Sequence, residues 1–349
     1  MIYSGRDVDQ ASGSSPRVET LNATHLRWLL TSAQISSSNK WTDQPQAMLL
    51  QTWLFRKLRV LVALEKDDTR ADRLLSLVVL RSLNRRSSCW QLELEERQDP
   101  TSTSRISVIR QLLHEALSDG VARSQSWLIR CDSNDQDQLD LVRELGFQPL
   151  RRFGVWSVDP LSVSGIVASE MPSHCRWSAL DNSTARQLLA LEQACCSTHH
   201  RQILDRQWQD LVDQRSNGCG LLERIDSDQN QVLAGLVARP SGFARPRLEL
   251  LRGLAWDDRL TDALPPALQR LARLKPAPEL LVDEDDERLQ AIVQRCGFQS
   301  HQSQLVLGRS LWRKLGSREL SGIRPLESML GRLQPQQPPL PTPTLGRER

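Results

Sequence analysis

The tightest grouping of chemically competent side chains is Cys195-Cys196-Ser197-Thr198-His199-His200. Read as helix, it sets Cys195 with His199 and Cys196 with His200 four apart, a spacing at which two side chains can reach one metal ion. A zinc site needs further ligands at a recognisable spacing, and none is found, so no metal is expected. The other cysteines, at 89, 131, 175, 219 and 296, include no Cys-x-x-Cys pair. Seven in all, an odd number, they predict reduced thiols in a cytoplasmic protein rather than a disulfide framework. Two carboxylates, Glu93 and Glu95, share one face of the alternating run Cys89 to Glu95, and the simplest reading of that face is contact with solvent.

The elements that must position these groups show themselves through a repeat. Trp127-Leu128-Ile129-Arg130-Cys131-Asp132 leads through Asp135 and Leu139 to Leu145 and closes on Gly146-Phe147-Gln148. Glu279-Leu280-Leu281-Val282-Asp283 leads through Asp286 and Leu289 to Cys296 and closes on Gly297-Phe298-Gln299. The two superpose without a gap, matching Asp132 with Asp283, Asp135 with Asp286 and Val142 with Val293. Each predicts a short buried strand, an acidic turn whose aspartate caps a helix, and a glycine that ends the helix in the left-handed conformation. A phenylalanine then packs back under the helix and a return strand follows, at 152–158 and 304–307. A repeat of this length implies two copies of one domain side by side.

The order of predicted elements agrees. After a polar leader over residues 1–18, expected to be disordered, helices are expected at 21–30 and 46–54, then an antiparallel meander: Val60–Leu64, Leu74–Leu80 and Cys89–Glu95. A helix from Arg105 to about Ser118 precedes the first repeated unit. The second half expects a strand at Cys175–Leu180, helices through Leu188–Leu191 and Ile203–Val212, strands at Leu221–Ile225, Val232–Val237 and Leu248–Trp256, and a helix over Leu264–Leu274. The domain boundaries that follow are 19–160 and 172–315, with 316–349 as a proline-rich flexible tail, whose Pro335–Pro343 segment is suited to docking a protein partner. With 349 residues and a formal net charge of +3, the chain has room for two cores and no charge-based case for nucleic acid. No basic segment followed by an apolar stretch opens the chain, and no apolar run reaches membrane-spanning length, so no membrane partner is expected.

Helices, a meander, a loop leading into a helix, a strand, a short helix and Gly-Phe with a return strand resemble the GNAT superfamily of acyl-CoA N-acyltransferases, here in tandem over roughly residues 20–158 and 172–310. The family's last helix commonly ends Leu-Tyr-x-x-x-Gly-Phe, and Leu141-Val142-Arg143-Glu144-Leu145-Gly146-Phe147 matches it except at the tyrosine. The resemblance implies an α+β fold, two tandem GNAT-like domains, each a mixed, mostly antiparallel sheet flanked by helices.

It also implies three pieces of chemistry. Acyl-CoA, with acetyl-CoA the first candidate, needs its pyrophosphate cradled by backbone N–H groups of a loop entering a helix. In the first half that place holds Thr101, Ser102, Thr103, Ser104, Arg105 and Ser107, without the family's glycines; in the second half Asp257, Asp258 and Asp262 would repel phosphate. The leaving thiolate is usually protonated by the tyrosine, which is Val142 and Val293 here, and Cys131 is the nearest substitute. The amine's proton needs a base on the meander strand, for which Glu93 and Glu95 stand in the first half and Glu249 in the second; His199 borders the implied acceptor cleft. Two functions follow: transfer of an acyl group to the amine of a small molecule or protein, with the cofactor in the N-terminal half, or a catalytically degenerate GNAT-fold binding or scaffold protein.

Overall fold

The computed structural model describes residues 16–22, 58–65, 73–96, 105–118, 124–158, 170–225, 231–240 and 246–311. The helices expected at 21–30 and 46–54, the loop residues Thr101 to Ser104 and the proline-rich tail lie outside them, apart from Leu21 and Asn22, which belong to no helix. The described residues from 16 to 310 form one compact unit.

The described elements run β1 (Arg17–Thr20), β2 (Leu58–Glu65), β3 (Arg73–Ser82), β4 (Cys89–Glu96), α1 (Arg105–Ser118), β5 (Ser126–Asp132), α2 (Gln136–Glu144) and β6 (Gln148–Val158). The second copy continues with β7 (Cys175–Ala179), α3 (Thr184–Cys195), α4 (Thr198–Leu204), α5 (Trp208–Asp213), β8 (Gly220–Arg224), β9 (Gln231–Arg239), β10 (Arg247–Arg252), α6 (Leu260–Ala272), β11 (Glu279–Asp283), α7 (Glu287–Arg295) and β12 (Phe298–Ser310). The repeated unit folds as its residues dictate. Asp135 accepts from the Gln138 amide and Asp286 from the Leu289 amide, each at 3.1 Å, capping α2 and α7. Gly146 and Gly297 follow at φ 85° and 84°, a conformation that costs a residue with a Cβ. Phe147 and Phe298 are buried beneath the helices they follow.

All twelve strands join one sheet, in the order β1-β2-β3-β4-β5-β12-β6-β11-β10-β9-β8-β7. The pattern of two self-contained neighbours is therefore modified at the seam. β12, from the second copy, pairs antiparallel with β5 of the first, Leu305 opposite Cys131 and Leu307 opposite Ile129. β6, from the first copy, pairs antiparallel with β11 of the second, Leu280 opposite Trp156. The two return strands also pair with each other over their length. Their side chains follow them across: Leu305 and Leu307 pack with Ile129, Leu112 and Val142 in the first half's core, whereas Trp156 and Val158 pack with Leu280 and Val293 in the second's. A strand paired on both sides and buried on both faces loses most if withdrawn, so the exchange binds the halves into one folding unit.

Sequence periodicity misses two local features. The helix expected over Ile203–Val212 is broken into α4 and α5 by Asp205, which adopts a left-handed φ of 42°. The strand expected to run to Trp256 stops at Arg252, and α6 starts at Leu260, ahead of its two prolines.

Gly308, near the end of β12, lies where an added Cβ would come within 2.6 Å of Ile203 Cδ1 and 2.7 Å of Leu150 Cδ1. Those are mobile methyl ends, so Gly308→Val is expected to destabilise by about 1–3 kcal/mol through overpacking. Urea unfolding followed by tryptophan fluorescence checks this, and an unchanged midpoint would contradict the exchanged-strand packing.

Candidate functional site

In each half two adjacent parallel strands start together and part. β4 and β5 pair only from Cys89–Leu92 with Ser126–Ile129, and β10 and β11 only from Arg247–Glu249 with Glu279–Leu281. Beyond those registers each pair opens a gap whose facing backbone groups have no strand partner. The registers also fix which residues correspond. Under the offset that carries Gly146 onto Gly297, Leu128 falls on Glu279, so its partner Gln91 matches Arg247 and Glu93 matches Glu249. The two carboxylates thus stand at the same point of their halves, where the strands begin to separate.

Their surroundings differ. Glu249 is 2% exposed and receives Arg151 Nη1 at 3.0 Å and Arg239 Nε. Arg239 in turn lies 2.7 Å from Glu192, which receives Arg206 Nη1 at 2.8 Å, and Arg151 Nε reaches Asp283 at 2.7 Å. Burial alone would raise the Glu249 carboxyl, but Arg239 and Arg151 hold it at about 2. Glu93 has no such partner. Its Oε1 accepts from Gln91 Nε2, and its Oε2 is sealed from solvent with no hydrogen bond. Burial pushes the Glu93 carboxyl above its ordinary value, against the pull of Arg81, Arg130 and Arg247. One fold position therefore carries an arginine-paired, structural carboxylate held at low pKa in one half and an unpaired carboxylate raised by burial in the other.

The remaining predicted residues fall as follows. Glu95 is partly exposed two positions along from Glu93, its backbone carbonyl accepting from Ser76 Oγ at 2.9 Å. Arg105, the first residue of α1, pairs with Asp135 and lowers that carboxyl; Ser107 is exposed in the same first turn, which has no acidic residue. Cys131 is 2% exposed among Ile129, Leu139 and Val142, and burial pushes its thiol up to about 12. It is a small apolar filler there, without the reach of a proton donor. Val142 and Val293 are fully buried.

The second half's gap is an open cleft of about 180 Å³, with Arg151, Cys195, Arg252, Asp283, Asp285 and Asp286 on its walls. The loop leading into α6 is occupied by its own contacts. Arg252 pairs with Asp286 and, with Arg288, stacks on Trp256; Asp257 receives the Arg259 amide at 3.0 Å; and Asp258 accepts from Trp256 Nε1 at 3.0 Å. Three carboxylates at the start of α6 meet no phosphate-binding requirement.

The Cys-His run does not form the expected helix. α3 ends at Cys195, Cys196 is extended, Ser197 caps α4 through the His200 amide, and the four side chains do not share one helical face. Among the described residues no group of three or more His, Cys, Asp or Glu is placed to hold a metal ion. Likewise no described helix is long and apolar enough to cross a membrane. Sequence reasoning missed Glu192, Arg206 and Arg239; the one available signal was Glu192 itself, a charge one turn after Leu188 on a helix's apolar face.

No protein-family model and no curated protein matches this sequence. Solved structures do. A GCN5-related N-acetyltransferase from Sphaerobacter thermophilus aligns with 85% of this chain and 96% of its own at 11% identity and a TM-score of 0.50. A Drosophila protein aligns over 83% and 97%, at 13% identity and 0.53. A tandem GNAT protein from the clavulanic acid biosynthesis pathway aligns over 84% and 98%, at 11% identity and 0.50. The fold is tandem GNAT. At these identities the likeness establishes the GNAT architecture of both halves and leaves chemistry to the residues.

Two outcomes test the buried cluster. Glu249→Gln leaves Arg239 and Arg151 with an uncompensated charge in the interior and is expected to cost about 3–5 kcal/mol in urea unfolding; a loss under 1 kcal/mol would refute the pairing. His200, beside this cluster, is 4% exposed and burial pushes its pKa down to about 4. The unfolded chain binds that proton near pH 6.5, so the contribution is present above that pH and lost as pH falls towards 4. Between those values wild-type stability should fall by up to about 1.4 kcal/mol per pH unit relative to His200→Gln; parallel profiles would show that His200 does not titrate differently on folding.

Proposed function

We propose that this protein is an acyl-CoA-dependent N-acyltransferase that works in its first half, with acetyl-CoA or another acyl-CoA entering the gap between β4 and β5 and Glu93 taking the proton from the acceptor amine. The observation that carries the reading is the contrast between Glu93 and Glu249: at one fold position, only the first half retains a carboxylate that is unpaired by arginine and raised in proton affinity. A base whose pKa moves towards neutrality accepts a proton from an ammonium more readily than an ordinary carboxylate does.

Bound acyl-CoA supplies an activated acyl thioester. The chain's own part is to hold and to deprotonate. The N-terminus of α1, free of acidic residues in its first turn and carrying Arg105 and Ser107, suits the cofactor's phosphates, and Arg105 would exchange Asp135 for them. The second half, with Asp257, Asp258 and Asp262 at the equivalent helix start, is an unsuitable host, so one cofactor per chain is expected. Glu93 receives the ammonium proton and leaves a neutral amine to attack the acyl carbon; the thiolate that departs takes a proton from water or from the substrate, because the valine in the family's tyrosine position has no proton to give. The seven free cysteines fit a reducing cytoplasm.

One observation favours a second reading, a non-catalytic GNAT-fold binding or scaffold protein: the tyrosine position is a buried valine in both halves. The test uses the whole chain, since the exchanged strands preclude separating the halves. Calorimetric titration with acetyl-CoA should give one micromolar site, and Glu93→Gln should keep that site while acetyl transfer to a panel of small amines drops about 100-fold or more. Absence of binding heat would select the non-catalytic reading, and unchanged turnover in Glu93→Gln would remove Glu93 as the base.

A further inference from the structure

A second cavity lies at the seam on the other side of Glu249, walled by Gln91, Arg130, His200, Arg206, Arg239 and Glu249 among apolar neighbours. About 20 Å³ of it admits the centre of a water-sized particle, room for one water molecule or one ion of similar size. Three guanidiniums and one carboxylate face it; with Glu192, which pairs with Arg206 and Arg239, these groups carry one positive charge in excess, and Glu93, the further carboxylate acting on Arg130, is not among the lining residues. Arg130 is the cation left over. Its one described hydrogen bond runs from Nη1 to the Pro240 carbonyl at 3.3 Å, with no carboxylate of the described residues in ion-pair range, and burial, followed by repulsion from Arg247 and Arg239, brings its pKa down to about 10.

Donors are also left over. Arg206 has a side chain 2% exposed, spends Nη1 on Glu192 and Nη2 on Gln214, and has an Nε–H with no acceptor. Arg239 Nη2 is close to Glu192 but is not aligned for a hydrogen bond. Buried donors are rarely left unmet, and a buried excess charge draws a counter-charge. We propose that this cavity binds a single monatomic anion, a halide such as chloride, held by Arg206 Nε, Arg239 and Arg130. Water could satisfy the donors, but it would leave the excess charge in place, whereas a halide is only slightly larger and meets both needs. The site would clamp the first half, through Gln91 and Arg130, to the second, through Arg206 and Arg239, and it is independent of the transferase reading.

The test uses the full chain. Its melting temperature is measured as sodium gluconate is replaced by sodium chloride at constant ionic strength, so that screening stays fixed. Crystals grown in sodium bromide are then measured at the bromine absorption edge. The expected results are a saturable rise in melting temperature with halide and an anomalous peak inside the cavity; Arg206→Lys, which keeps the charge and removes the Nε donor, should lose the saturable rise. Density without anomalous signal would mean water and would overturn the proposal. So would a peak with no saturable shift, which is occupancy at crystal concentration only, or bromide confined to the surface.

Discussion

Arg151 begins in the first copy and finishes its bonding in the second. Carried on β6 across the seam, it is fixed between Glu249 on β10 and Asp283 at the end of β11. The equivalent exchange in the other direction places Gln302 of β12 on Asp132 at the end of β5, at 3.0 Å. These two contacts are one interaction used twice: a polar side chain of a return strand satisfies the turn aspartate of the opposite copy. A buried arginine between two carboxylates tolerates little displacement, because any shift strands charge in a medium that cannot solvate it. That requirement acts with the strand pairing and the apolar packing across the seam to hold the exchanged strands and Glu249 in place.

The same requirement explains why the halves have diverged at their matched carboxylates. Arg151 has an uncharged counterpart, Gln302, so the pseudo-symmetric position in the first half receives no guanidinium from the return strand. Glu249 is thereby consumed by structure, together with Arg239 and through it Glu192 and Arg206. Glu93 is not. The arrangement assigns stability to the second half's opening and leaves the first half's opening with a carboxylate whose proton affinity is set by burial. The acidic loop before α6 reinforces that division, with Arg252, Asp286 and Trp256 engaging one another where a phosphate-bearing ligand would otherwise lie.

Much of the architecture was legible because it rests on local rules. The Asp caps, the left-handed glycines and the buried phenylalanines are each dictated within about ten residues of chain, and they occur twice in step. The meander strands showed themselves by apolar runs of strand length. What periodicity could not show was a break decided by tertiary contact. Asp205 turns left-handed where its carboxylate meets Ser88 and its carbonyl receives Asn84, both from the first copy, and no pattern within Ile203–Val212 carries that information. The Cys-His run misled for a related reason: Ser197 is a better helix cap than a helix interior residue, and it divides the pairs that spacing alone had joined.

The sequence by itself determined that one fold unit occurs twice and that it has the order of elements of the GNAT fold, because capping, termination and strand length are short-range consequences of residue type. It also determined that the second half's loop carries the wrong charge for a phosphate, since three aspartates in seven residues are negative in any conformation. Only the tertiary structure decided which copy each return strand would complete, since both β6 and β12 carry apolar residues and the choice is made by long-range pairing. For the same reason it alone distinguished Glu93 from Glu249: a carboxylate's proton affinity depends on which guanidiniums surround it in space, and those come from five separate strands of the chain.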